Sequence, residues 1–251
     1  MLKARIYRIA RGQVRELPLE EGRPVEIAVD IDDGYGPGLV RADVRPGRCE
    51  LPLWPVEILP LAMAAVERMA PWATVYAAPT WLSPSGDEYT FWGQARRNSD
   101  AVLLTTSAWG VKALDTLHHE LWHVLEQYLL PSEWAAVVEA CSSGPAWVDQ
   151  RYYATPTERA ARAFAAWCVA RVEAPTPPVT GWRAGVRRWA MSPHERVFQG
   201  AFDGTIARRA LARREVATAR LSEASRARSE ASRAAMSVAA SRRHPKALVP
   251  A

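Results

Sequence analysis

Three of the chain's five histidines fall in one stretch, LDTLHHELWHVLEQ, residues 114–127. His119 and His123 are one helical turn apart, so on a helix their imidazoles stack on one face and can meet a single cation. Glu120 is turned by about 100° around the same axis. It can reach a water held by that cation without binding the cation itself. Two imidazoles, a third protein ligand and one position left for water make up a catalytic zinc site, where the pKa of the bound water falls to about 7. Glu120 would take that water's proton as it attacks a carbonyl carbon, then pass it to the leaving amine. The competing reading is a helix whose polar face happens to carry His, Glu and His. His118 reads as an extra surface residue or a neighbour of the site. Asp115, one turn before His119, could orient its imidazole.

A helix must carry these residues, and the periodicity supplies one. Leu114, Leu117, Leu121, Val124, Leu125 and Tyr128 recur at spacings of three and four, an apolar stripe on a helix over roughly 111–130. Before it, TVYAAPTWL (74–82) and EYTFWGQA (88–95) read as strands around the turn SPSGD, and AVLLTTS (101–107) as a third strand. Residues 54–71 read as a helix stopped by Pro71. Residues 1–50 alternate short apolar runs with Gly/Pro turns and read as a small β-rich element. DIDDGYGPG (30–38) resembles the start of a calcium loop, but Arg41 stands where a bidentate Glu is needed, so a turn is expected.

Further helices are expected over 132–141 and 157–171. A Pro-rich linker follows, then a short helix starting at a Ser192–Glu195 capping box. A basic Ala/Arg/Ser helix runs to the end. The expected fold class is α+β: a small mixed sheet packed on the histidine helix, and a helical C-terminal half with a long terminal helix. The expected divisions are 1–50, 51–174, 175–205 and 206–251.

The third ligand must come from elsewhere. Glu126 and Glu133 are too near His123 to fold back easily, and Glu139 would need the next helix to return at once. Glu158 is the preferred candidate, at the start of a helix that could pack antiparallel beside the first, with an apolar face at Ala161, Phe164, Ala165 and Cys168. Thr155-Pro156-Thr157-Glu158 is also a capping box, so the carboxylate could instead serve the helix start. Asp149 and His194 remain as alternatives.

HELWH followed by PTERAARAFAAW resembles the gluzincin branch of zinc metallopeptidases, closest to the compact ImmA/IrrE-like and phage-borne peptidases. The likeness runs over about 114–171 and maps onto His119, Glu120, His123, Glu158, Ala161, Phe164 and Ala165. Those families usually carry a small residue where this chain has Trp122. RVFQGAFDGTIARR is similar to segments that trail phage-type peptidase domains. The resemblance implies a zincin-like domain that binds Zn2+ through His119, His123 and Glu158 and hydrolyses peptide bonds with Glu120 as general base. If Glu158 reaches the metal, Tyr153, or its neighbour Tyr152, could donate to the developing oxyanion. An extended peptide substrate would pair with the edge strand nearest the site, expected to be AVLLTTS.

Composition bounds the rest. Apolar residues make up 49% and charged residues 24% of the 251, the balance of a globular protein rather than a disordered or fibrous one. Cys49, Cys141 and Cys168 are dispersed, which fits a reducing compartment and excludes a disulfide framework. Arg5, Arg8 and Arg11 break any apolar leader, and no stretch is long enough to span a bilayer. A cytoplasmic protein is expected, phage-encoded or virion-associated if the resemblance extends that far. Residues 206–251 carry eleven Lys/Arg against three Glu, a net +8, which leaves −3 for residues 1–205 of the chain's total of +5. This tail suits nucleic acid or an acidic protein surface. It also places Ala217, Ala224, Ala231 and Val238 at heptad spacing, a short seam through which copies could associate. The alternative function is therefore a structural or adaptor protein with a vestigial or metal-stabilised zincin domain, or a nucleic-acid-associated protein led by the tail.

Overall fold

The computed structural model describes residues 5–19, 23, 25–30, 37–43, 58–83, 86–88, 92–96, 100–106, 111–142, 155–171 and 195–243. The fold is α+β with two small sheets. The chain divides into two compact units, Met1–Arg208 and Arg209–Ala251. Among the described residues, no helix is long and apolar enough to cross a membrane.

The first sheet opens with a hairpin of β1 (Arg5–Ala10) and β2 (Gln13–Pro18). Its two-residue turn has positive φ at both positions, Arg11 and Gly12, the geometry that matches the twist of paired strands. The sheet continues through β5 (Thr74–Ala78), β8 (Ala101–Thr105) and β7 (Gly93–Arg96), in the order β2-β1-β5-β8-β7. Only the β5–β8 pair is parallel. The second sheet has the order β3-β4-β6, from Val25–Asp30, Pro37–Asp43 and Thr80–Leu82.

The strands depart from the sequence expectation in two places. TVYAAPTWL is two strands, because Pro79 has no N–H to give a ladder and the chain passes from one sheet to the other there. AVLLTTS is not an edge strand: β8 lies between β5 and β7, and all five of its residues are buried. The edge on this side is β7, and its start at Gly93 is later than expected. Glu88 contributes an isolated bridge to Leu82.

The helices of the first unit are α1 (Ile58–Met69), α2 (Val111–Leu125), α3 (Pro131–Ser142), α4 (Pro156–Arg171) and α5 (Glu195–Phe202). The first two pack on the first sheet and the others pack on helices. A further helix, α6, spans Thr205–Arg243. A 3-10 turn, Glu126–Tyr128, closes α2. The apolar stripe of α2 is the centre of the core: Leu114, Leu117, Leu121, Val124 and Leu125 are all buried. Each such side chain stabilises the fold by about 2 kcal/mol.

The partner of α2 is α4, whose buried face is made largely of small residues, Ala160, Ala161, Ala163 and Ala165. Small side chains let two helix axes approach closely. Trp122 fills the space beyond them, with its ring 4.9 Å from Phe164 and 5.4 Å from Phe198 of α5. The first turn of α4 meets His119 and His123, while Cys168 near its end lies by Asp115, so the two helices run antiparallel.

Candidate metal centre

The antiparallel packing delivers Glu158 to the histidines. His119 Nε2 and His123 Nε2 are 3.2 Å apart. The Glu158 carboxylate places Oε2 3.2 Å from His119 Nε2 and Oε1 3.3 Å from His123 Nε2. One donor atom from each residue falls within 4.8 Å of the others. The three contacts are close to the spacing of ligands on one cation, with the two carboxylate contacts made by different oxygens. Ligands about 2.0–2.1 Å from one tetrahedral cation are separated by about 3.3–3.4 Å. The two Nε2 atoms also face each other, so at most one proton fits between them. Two imidazole nitrogens and a carboxylate are a donor set for a borderline cation, and the spacing fits one.

The electrostatics follow from the same packing. Burial opposes a charge on His123, but the carboxylates of Glu126 and Glu158 against its ring outweigh that and hold its pKa up at about 9. Burial also opposes a charge on Glu158, and the two imidazoles outweigh it, holding its carboxyl well below the usual range. Without a cation, His123 and Glu158 are thus an ion pair at neutral pH, and a cation bound by both would replace and release the imidazole proton.

Glu120 sits on the neighbouring face, only 7% exposed, and its Oε2 accepts a 2.7 Å hydrogen bond from the backbone N–H of Ala95 in β7. Burial raises its pKa, against the pull of His119 and His123. The contact requires β7 and α2 to lie very close. A Cβ on Gly93 would stand 2.6 Å from Thr116 Cγ2 and 2.7 Å from Glu120 Cγ. Gly93→Ala should therefore force Glu120 or the strand aside and cost about 1–3 kcal/mol. A lower midpoint in denaturant is the expected outcome. An unchanged midpoint would contradict this packing.

The cap and the cation site are both served at the start of α4. Thr155 Oγ1 accepts from the Glu158 N–H at 3.4 Å, while the Glu158 carboxylate faces the two imidazoles. The cap is thus made by the Thr155 hydroxyl on the Glu158 N–H, while the carboxylate, expected as the alternative cap, faces the imidazoles. His118 is not a surface residue. It is 1% exposed, and its Nδ1–H donates to the Leu114 carbonyl at 2.7 Å, one turn back. Burial lowers its pKa to about 4, so it is neutral with its proton on Nδ1. Asp149, Tyr152, Tyr153 and His194 lie outside the described residues.

Three participants were not expected from sequence. Gly93 and the Ala95 amide position Glu120, and a lone Gly in a strand pattern is the signal for such a close approach. Glu126 contacts His123, and its signal is the three-residue spacing on one helix. Comparisons with family models, curated proteins and solved structures gave no match for this chain.

Proposed function

We propose that this protein is a zinc-dependent metallopeptidase of zincin type, with a small mixed sheet lying over the histidine helix. The reading is supported by one observation: His119 Nε2, His123 Nε2 and the Glu158 carboxylate converge, one donor atom from each within 4.8 Å of the others, with the Glu120 carboxylate on the neighbouring face. His119 Nε2, His123 Nε2 and a Glu158 oxygen would hold the ion. Zinc there supplies a water acidic enough to deprotonate near neutral pH and polarises the substrate carbonyl. Glu120 takes the proton. Its Oε2 is held by the Ala95 N–H, so Oε1 is the atom that accepts it and later donates it to the leaving amine. The raised pKa set by burial strengthens Glu120 as the acceptor.

The extended substrate would lie along β7 rather than β8. Among the described residues β7 has β8 on one side only, and its Ala95 N–H points away from β8 toward Glu120. Backbone pairing on that edge places a peptide carbonyl near the site. Tyr153 stays a proposal for the oxyanion donor. The test is cleavage of a diverse peptide library by the zinc-loaded full chain. Hydrolysis that is lost on chelation and absent in Glu120→Gln supports the reading; hydrolysis that survives both overturns it.

A second role rests on α6, whose exposed large apolar residues include Val216 at 53% and Leu221 at 68%. Exposed apolar side chains on a basic helix support assembly, or contact with an anionic partner, through residues 206–251. Solution mass and salt-dependent nucleic-acid binding, compared with and without these residues, test that role.

A further inference from the structure

We propose that Glu126 is a positioning residue for the cation site, one that fixes the tautomer and orientation of His123. This rests on the reading of His119, His123 and Glu158 as ligands. The local geometry carries it. The α-helix ends at Leu125 and tightens into the 3-10 turn Glu126–Tyr128, closed by the Leu129 N–H on the Glu126 carbonyl at 3.2 Å. Tighter winding brings side chains three apart toward eclipse, so Glu126 comes over His123. Its Oε1 lies 3.4 Å from His123 Nδ1. The side chains are 6% and 10% exposed, so the carboxylate is held at the ring rather than in solvent.

Position adds to this. An anion at the C-terminal end of a helix faces the negative end of its dipole, and a buried carboxylate there adds a desolvation cost. A neutral side chain would fill the same space without either cost. The carboxylate does what a neutral apolar side chain cannot: it accepts the Nδ1–H of His123. With the proton held on Nδ1, the Nε2 lone pair points toward His119 and Glu158. The carboxylate also makes the imidazole a better donor to a cation. His118 shows the contrast within the same helix. Its Nδ1–H is held by a backbone carbonyl, and it faces the core instead.

The experiment titrates the metal-free full chain with Zn2+ against a chelating indicator, and separately with Co2+ read by visible absorption. Wild type, Glu126→Ala, Glu126→Gln and Glu158→Ala are compared, with helix content checked by circular dichroism. Glu126→Ala should bind Zn2+ about 10- to 100-fold more weakly and show a shifted Co2+ spectrum. Glu126→Gln should recover most of that affinity, because its amide oxygen still accepts from Nδ1–H. Wild-type affinity in Glu126→Ala overturns the proposal while leaving the ligand set standing. Equal loss in the Ala and Gln variants overturns the orienting role. No Zn2+ or Co2+ binding by wild type overturns the ligand reading, and this proposal falls with it.

Discussion

Glu120→Gln should lower peptide hydrolysis by about 10²- to 10⁴-fold, the usual contribution of a positioned general base, with bound zinc unchanged. Gln has nearly the same shape, and its amide oxygen can accept the Ala95 N–H that now holds Oε2. What it loses is the ability to take a proton. His119, His123 and Glu158 keep their positions, because their contacts do not pass through Glu120. The check is kcat/KM on any peptide that wild type cleaves, set beside zinc content for both proteins. Activity retained in the variant would remove Glu120 from the chemistry.

Trp122→Ala should cost about 3–5 kcal/mol, the range for emptying a buried aromatic site. The Trp122 side chain is fully buried and packs against Phe164 and Phe198, which themselves lie 5.5 Å apart. Three elements meet there: α2, α4 and α5. Set against a total stability of about 5–15 kcal/mol, that loss is a large share. The effect should reach function, because the same α2–α4 packing brings Glu158 to the histidines. The denaturant midpoint should fall with little change in m, and zinc affinity should fall with it. Trp122→Phe should lose less on both counts. A midpoint close to wild type in Trp122→Ala would mean that the aromatic cluster does not hold the helices together.

The histidine helix was legible because two periodicities coincide in it. Leucines at three- and four-residue spacing fix which face is buried, and that fixes where His119 and His123 point. The pairing of α4 with α2 was legible from the alanines and Phe164 on one face. The direction of the Glu158 carboxylate was not, because Thr-Pro-Thr-Glu reads as a cap whether or not the carboxylate also faces a cation. Only the docking of α4 sets it.

The edge strand was misread. AVLLT is a run with no polar alternation, the mark of a strand covered on both faces. GQAR is short and half polar, as edges tend to be. For His118 the sequence leaves a surface position and a place beside the site both open; its bond to the Leu114 carbonyl lets it be buried. Glu126 was considered only as a ligand, and too close for one. Its three-residue spacing from His123 marks the contact, but the 3-10 turn that begins at Glu126 is not written in that spacing.

Zinc content reports on the metal centre without any assumption about substrate. Wild type and Glu158→Ala, each as the full chain, are purified side by side and dialysed against the same buffer. About one zinc per wild-type chain is expected, with a sharp loss in the variant and helix content preserved. Equal zinc in the two proteins would remove Glu158 from the site, and a wild type that holds none would contradict the metal centre itself.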